Sequence, residues 1–245
     1  MITVPGIRAV TELLRANPSQ VKEVWLAKGR TLARLDEVIQ ICEKEGIPVY
    51  FKDSKDISLL LPKVNHQGAV AIVSEFKYTS FDEFVKNVRS QKEGTIVIAL
   101  DHITDEGNFA SILRTAVFFG AKGVIIPKKR SVSVSAQVLK RSSGACFYIP
   151  IVKVTNMARA LEELSRQGLW IIGTSPEAKI SLYEFDWDRD LVLVLGNEQK
   201  GIGHSVQKVC HEIVSIPVLG AIDSLNVAVS AGIFLSEIMR QRLKG

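Results

Sequence analysis

The chain has 245 residues, of which 47% are hydrophobic and 23% are charged, with a formal net charge of +5. This is the composition of a globular protein with one large domain or two small ones, and it excludes a disordered or fibrous chain. No window approaches the roughly 20 apolar residues of a membrane helix, and the first residues lack a signal-peptide layout, so we expect a cytoplasmic protein. Three scattered cysteines without metal-ligand spacing, Cys42, Cys146 and Cys210, predict reduced thiols and no metal site.

The first 75 residues predict a small α/β domain. Hydrophobic periodicity indicates helices over residues 6–16 and 33–45, and extended runs over residues 21–26, 47–51 and 68–73. His66 has no second metal-type side chain at ligand spacing, so a satisfied polar role is expected. Residues 76–93 are polar with one helical patch, and they are predicted to form a linker.

Residues 94–245 predict a second α/β domain with a mostly parallel sheet. Short apolar runs rich in β-branched residues alternate with helical patterns, as in strands that helices cover on both faces. These runs are residues 96–100, 123–126, 169–172, 191–195 and 213–216. Ligands of such sheets bind beyond the carboxyl ends of the strands, so the residues that follow each strand are the candidates for a site.

Asn108 and Arg114 follow the first of these strands. Asn108 suits a helix cap, and Arg114 lies six residues later on an otherwise apolar helix, residues 109–119. Such an arginine is either paired within the fold or held for an anion. The neighbouring Asp101 and His102 suggest an acid–base couple, but no Gly-x-Ser-x-Gly motif accompanies them, which argues against a serine hydrolase.

Three glycine-bearing loops, at Gly173, Gly196 and Gly220, follow three later strands. The loop after Gly196 resembles a phosphate loop, but Gly201 is followed by Ile-Gly instead of Lys-Ser/Thr. No Gly-x-Gly-x-x-Gly dinucleotide motif follows any strand. A pocket that contacts its ligand through loop backbone is therefore expected.

Ser224 and Asn226 lie at the start of a helix predicted over residues 224–243. The first backbone N–H groups of a helix lack intrahelical partners, and the helix dipole is positive there. Ser224 therefore either caps this helix or helps to bind an anionic group of a ligand.

Three groups of residues resemble the motifs of the SpoU family. They are Asn108 with Arg-Thr-Ala at 114–116, Leu-Gly-Asn-Glu at 195–198 with Gly201, and Ile-Pro at 216–217 with Ser-Leu-Asn-Val-Ala at 224–228. The resemblance implies an S-adenosyl-L-methionine-dependent RNA ribose 2′-O-methyltransferase with the trefoil knot of the SPOUT class. The His-Gln-Gly at 66–68 makes the N-terminal domain similar to the substrate-binding domain of 23S rRNA guanosine-2′-O-methyltransferases; a tRNA methyltransferase stays open.

The resemblance also implies roles for individual residues. Arg114 would hold the target phosphate and stabilise developing oxyanion charge, because a guanidinium does not lose its proton in proteins; the alternative is that Arg114 acts as the base. Four residues would orient it and the hydroxyl: Asn108, Glu198, Ser224 and Asn226. Five residues would hold the cofactor, the first three through the main chain: Gly196, Ile216, Leu225, Thr174 and Gly201. Family members are homodimers whose sites are completed by both chains, and the helix over residues 224–243 is a candidate dimer face.

The first motif departs from the family pattern at Glu106, Ala110 and Ser111, where proline, glycine and alanine are usual. The departure keeps small residues on the helix but affects the positioning of Asn108. It leaves open a catalytically silent protein that binds RNA or assists ribosome assembly. A nicotinamide-dependent enzyme is disfavoured because no dinucleotide glycine motif is present.

Overall fold

The computed structural model describes residues 2–29, 35–61, 64–89, 94–197 and 199–243. The chain forms two compact units. The first consists of Met1–Lys77 and Ser133–Tyr148, and the second of Tyr78–Val132 and Ile149–Gly245.

The first unit is built around a four-stranded sheet with the order β1-β4-β2-β3. Strands β2 and β3 are parallel, and the other neighbours are antiparallel. The short strand β1 and the helix α3 were not predicted from the sequence. The elements are β1 Ile2–Pro5, α1 Ile7–Ala16, β2 Val21–Ala27, α2 Asp36–Glu45, β3 Val49–Lys52, α3 Ser54–Leu60, β4 Ala69–Val73 and α6 Ala136–Arg141.

His66 is a satisfied polar residue in this unit, as the sequence predicted. Its side chain is 5% exposed. Its Nδ1 accepts a hydrogen bond from the Gly68 N–H at 3.1 Å, and its Nε2 lies 3.3 Å from the Ser58 hydroxyl.

Residues 133–148, which the sequence assigned to the second domain, belong to the first unit. Helix α6 buries Val138 and Leu139 and packs beside β1 and α1. The Tyr148 hydroxyl donates a 2.5 Å hydrogen bond to the Glu12 carboxylate on α1. This association depends on contacts between residues more than 100 positions apart, so no local pattern reveals it.

The second unit contains a seven-stranded sheet in which every neighbouring pair is parallel. The strand order is β7-β6-β5-β10-β8-β11-β9. The two central strands, β5 and β10, are almost entirely buried, which confirms the α/β class and the parallel sheet. The elements are α4 Phe81–Arg89, β5 Ile96–Asp101, α5 Glu106–Phe118, β6 Gly123–Pro127, β7 Ile151–Val154, α7 Met157–Arg166, β8 Trp170–Thr174, β9 Ile180–Ser181, β10 Leu191–Gly196, α8 His204–Gln207, β11 Glu212–Ser215 and α9 Val227–Arg242.

Helix α4 is part of the second unit, so the prediction of a linker over residues 76–93 was wrong for this segment. Phe84 is 1% exposed and Val88 is also buried, and both belong to the core of this unit. The ring of Phe84 lies where a Cβ at Gly123 would be, so the glycine makes room for the helix. Phe81 and Val85 also pack against this core, so an apolar face holds a helix that the polar composition of the segment had concealed.

All three cysteines are free, and Cys42 and Cys146 are buried. Burial and the nearby Asp101 carboxylate raise the pKa of Cys210 to about 11, so its thiol stays protonated at neutral pH. The described residues contain no helix that is long and apolar enough to span a membrane. They also contain no cluster of three or more metal-ligating side chains.

Candidate active site

A cavity of about 570 Å³ lies in the second unit, at the carboxyl ends of β10, β8 and β11. These three strands are neighbours in a parallel sheet, so the loops that follow them meet at one edge. The volume lies within the usual range for a small-molecule site, about 300–1,000 Å³. Three of its apolar residues, Ile202, Val227 and Phe234, are buried, whereas Ile222 and Leu225 are exposed at the cavity.

All five residues predicted to hold the cofactor line this cavity. Gly196 and Gly201 come from the loop after β10, Thr174 ends β8, and Ile216 and Leu225 belong to the segment that joins β11 to α9. The Thr174 hydroxyl donates a 3.0 Å hydrogen bond to the Val194 carbonyl, which fixes the end of β8 against β10.

The loop after β10 is closed by its own backbone. Asn197 and Gly201 exchange two backbone hydrogen bonds, of 3.0 and 2.8 Å. The Asn197 side chain accepts further bonds from the N–H groups of Gln199 and Lys200. Glu198, predicted to orient the reacting groups, lies outside the described residues. Asn197 was missed by the sequence analysis, although an asparagine before a polar, glycine-bearing stretch is typical of such a turn.

Residues 216–225 border the cavity with unused backbone groups. Within the described part of the chain, no backbone–backbone hydrogen bond involves any residue of this segment. A ligand in the cavity could therefore be bound through N–H and C=O groups, as the glycine-bearing loops predicted. Together with the apolar walls, these groups suit a ligand that has both an adenine ring and polar substituents.

Asn108 and Asn226 join the two helices beside this segment. The Asn226 amide donates a 2.8 Å hydrogen bond to the Asn108 side-chain oxygen. Asn226 also caps α9, because its own oxygen accepts the N–H groups of Ala228 and Val229. The departure from the family pattern at Ala110 and Ser111 therefore leaves Asn108 in contact with the third motif.

Two capping predictions were wrong. Helix α9 begins at Val227 with Asn226 as its cap, so Ser224 is not a cap. Ser224 is exposed, lines the cavity and donates a 3.3 Å hydrogen bond to Asp223. Helix α5 is capped by Asp105, which accepts the Asn108 N–H at 2.7 Å. Both asparagine side chains can meet because Asp105 takes the capping role on α5.

Arg114 is exposed on α5 and does not line the cavity. No hydrogen bond or ion pair to another described residue holds its guanidinium. The sequence left open whether Arg114 is paired within the fold or held for an anion. The described part of the chain offers no support for pairing within the fold. Phe118, one turn further along α5, shares its face and is 82% exposed.

Replacing Asn226 with alanine is expected to lower both stability and methyl transfer. Loss of the cap costs about 1 kcal/mol of unfolding free energy, and Asn108 loses its hydrogen bond from the Asn226 amide. The matched control is Asn156→Ala, because Asn156 also caps its helix, α7, through the N–H three residues on, but it is Asn226 that bonds to Asn108. Urea unfolding should show similar losses for both variants, whereas only Asn226→Ala should slow methyl transfer. Equal transfer rates in the two variants would contradict a role for Asn226 in the site.

Comparison with known proteins finds two family models that match this chain. Residues 95–236 match the model of the SpoU rRNA Methylase family. The chain belongs to this family. Residues 3–79 match the model described as RNA 2'-O ribose methyltransferase substrate binding. The family predicted from the three motifs is therefore confirmed.

Relatives of this SpoU protein and similar solved structures agree with its membership of the family. A protein of Pseudomonas aeruginosa named 23S rRNA (guanosine-2'-O-)-methyltransferase RlmB is 39% identical over 97% of this chain and 95% of its own length. A Bacillus subtilis protein named putative TrmH family tRNA/rRNA methyltransferase YacO is 35% identical, with 97% and 94% coverage. The crystal structure of an AdoMet-bound rRNA methyltransferase from Sinorhizobium meliloti has a TM-score of 0.80 at 26% identity, covering 98% of this chain and 87% of that one.

Proposed function

We propose that this SpoU protein transfers a methyl group from S-adenosyl-L-methionine to the ribose 2′-hydroxyl of a guanosine in 23S ribosomal RNA. The observation that carries the proposal is the single cavity that brings together Thr174, Gly196, Gly201, Ile216 and Leu225. The relatives named for this reaction match along nearly their whole length. A transfer-RNA substrate is the second candidate, because the Bacillus subtilis relative is named for both RNAs.

The residues that line the cavity would hold the cofactor. Backbone groups of Gly196, Ile216 and Leu225 would bind its polar atoms, and the apolar side chains of Val227 and Phe234 would exclude water. When bound, S-adenosyl-L-methionine supplies a methyl group made reactive by a positively charged sulfur. The protein's part is to align the hydroxyl oxygen with that methyl, and alignment alone contributes up to about 7–11 kcal/mol.

Polar residues that are not assigned to the cofactor would act on the RNA. Arg114 would hold the phosphate of the target nucleotide and stabilise the charge that develops on the 2′-oxygen. The Asn108–Asn226 pair, with Ser224 and Glu198, would orient Arg114 and the hydroxyl. The first unit, which carries the match to the substrate-binding model, would bind the RNA around the target.

We further propose that the protein is a homodimer and that each site uses both chains. Arg114 does not line the cavity of its own chain. Three exposed apolar residues, Phe118 on α5, Val229 on α9 and Leu243 directly after α9, support a dimer face on these two helices. Three other apolar side chains of α9, Phe234, Leu235 and Ile238, are buried within their own unit, so they are not part of this face.

The proposal includes the trefoil knot of the family. It also includes activity in the cytoplasm, because the relatives are named for a ribosomal RNA substrate. The knot is supported by the strand order, in which β10 lies between β5 and β8 although both precede it in sequence. It is also supported by the position of residues 216–225, which share the cavity with the loop after β10.

The proposal is tested by methyl transfer from labelled cofactor to unmodified 23S RNA and, separately, to unmodified transfer RNA. Mapping the 2′-O-methyl group should place it on one guanosine of the 23S RNA. Labelling of transfer RNA alone would favour the second candidate. Calorimetry that shows no cofactor binding would instead identify a catalytically silent RNA-binding protein.

A further inference from the structure

Asp101 and His102, at the end of β5, form a hydrogen-bonded pair next to the cavity. The Asp101 side chain is buried, and its Oδ1 lies 2.7 Å from the His102 Nδ1. His102 has a φ of 61°, in the left-handed region that few residues other than glycine adopt, although asparagine, aspartate and histidine do so more often than the rest. Such a backbone conformation persists only where surrounding contacts impose it, so the contacts of this pair identify its role.

These two residues hold both ends of the loop after β10. At its start, the Asn197 side-chain amide donates a 3.0 Å hydrogen bond to the His102 carbonyl. At its end, the Gly203 N–H donates a 2.8 Å hydrogen bond to the Asp101 Oδ2. The left-handed turn at His102 allows its carbonyl and the preceding carboxylate to serve the same loop.

The loop held in this way contributes to the cofactor cavity. Asn197, Gln199, Lys200, Gly201 and Ile202 all line it. The buried carboxylate would be costly without partners, and its two oxygens accept one bond each, from the imidazole and from the loop. The imidazole thus helps to keep the carboxylate oriented toward Gly203.

We propose that Asp101 and His102 are positioning residues that fix loop residues 197 and 199–203 in the conformation that binds S-adenosyl-L-methionine. They act through the loop and need no contact with the cofactor. This inference rests on the proposed function, because it takes the cavity as the cofactor site. Asp101 and His102, which the sequence suggested as an acid–base couple, would therefore affect the affinity for the cofactor and take no part in hydrolysis.

A series at position 102 separates the backbone from the side chain. His102→Asn keeps a residue that tolerates the left-handed region and an amide that can donate to Asp101, so its cofactor affinity should stay near that of the wild type. His102→Gly keeps the backbone but loses the imidazole. His102→Val opposes the backbone conformation and should weaken cofactor binding about tenfold, as should Asp101→Ala. Asp186→Asn is the control. The Asp186 carboxylate also accepts hydrogen bonds from a backbone N–H and from a basic side chain, but Asp186 does not line the cavity.

Two measurements on the full-length protein decide the matter. Calorimetry with S-adenosyl-L-methionine gives the dissociation constant, and amide hydrogen exchange without cofactor reports the Gly203 N–H. Faster exchange at Gly203 with weaker binding in Asp101→Ala and His102→Val, and neither in Asp186→Asn, supports the proposal. An unchanged exchange rate of the Gly203 N–H overturns the proposal. Faster exchange with unchanged cofactor affinity also overturns it, as does equal cofactor affinity in His102→Val and His102→Asn.

The two proposals can fail separately. If the wild-type protein does not bind the cofactor, the proposed function fails, whereas hydrogen exchange still tests whether Asp101 holds the loop. If Asp101→Ala does not fold, the three variants of His102 carry the test, because His102 is half exposed.

Discussion

Replacing Gly196 with alanine is expected to weaken S-adenosyl-L-methionine binding about 100-fold, equivalent to about 2.7 kcal/mol. A Cβ at this position would overlap the backbone of Gly201 and Ile202, and would lie 2.6 Å from the Gly201 carbonyl oxygen. Backbone cannot rotate away as a long side chain can, so the closed loop must open. Since the loop lines the cavity, its opening removes cofactor contacts directly.

The control for this variant is Gly220→Ala in the same cavity. A Cβ at Gly220 meets nothing within 4 Å, and its φ is not in the left-handed region. Calorimetry should therefore show nearly wild-type cofactor affinity for Gly220→Ala. Thermal unfolding without cofactor shows whether Gly196→Ala is still folded. A folded Gly196→Ala protein with wild-type affinity would mean that the cofactor does not bind against this loop.

Replacing Arg114 with alanine is expected to reduce the rate of methyl transfer about 100- to 1,000-fold, the usual cost of removing a group that stabilises developing oxyanion charge. Cofactor affinity should not change, because Arg114 does not line the cavity. Arg159→Ala is the matched control, since Arg159 is also an exposed arginine on a helix of the second unit. Equal rates in the two variants would contradict the assignment of Arg114.

Mixed dimers test whether Arg114 serves the cavity of the partner. Arg114→Ala and Gly196→Ala chains are co-expressed so that they pair at random. If the arginine acts across the interface, each mixed dimer has one intact site. Half of the dimers are mixed, so about a quarter of all sites are intact. If the arginine acts within its own chain, every site carries a defect and activity stays near background. The first result is expected.

The sequence predicted the parallel sheet and a cavity at the ends of its strands because both follow from local patterns. Apolar, β-branched runs are typical of buried strands, and parallel strands bring the loops at Gly196 and Ile216 to one edge. Contacts between distant parts of the chain could not be predicted in this way. The Asp101 carboxylate meets the Gly203 N–H 102 residues later, and α6 joins a unit whose other elements end before residue 78.

Capping shows a different limit of sequence analysis. Ser224 and Asn226 are both good caps, and Asn108 suits a cap as well as Asp105 does. Which residue becomes the cap depends on where the first N–H groups of the helix point. That direction depends on tertiary packing, such as the contact between α5 and α9. The wrong choice did not harm the prediction of the site, because Asn108 contacts Asn226 and Ser224 lines the cavity.

The unpaired backbone of residues 216–225 bears on how inhibitors of this protein would behave. A compound that gained its affinity from these N–H and C=O groups would contact atoms that every amino acid shares, apart from the missing N–H of proline. Single codon changes in the segment would alter side chains and leave most of those contacts in place. Escape from such a compound would then require a change in the course of the main chain, which would also impair binding of the natural methyl donor.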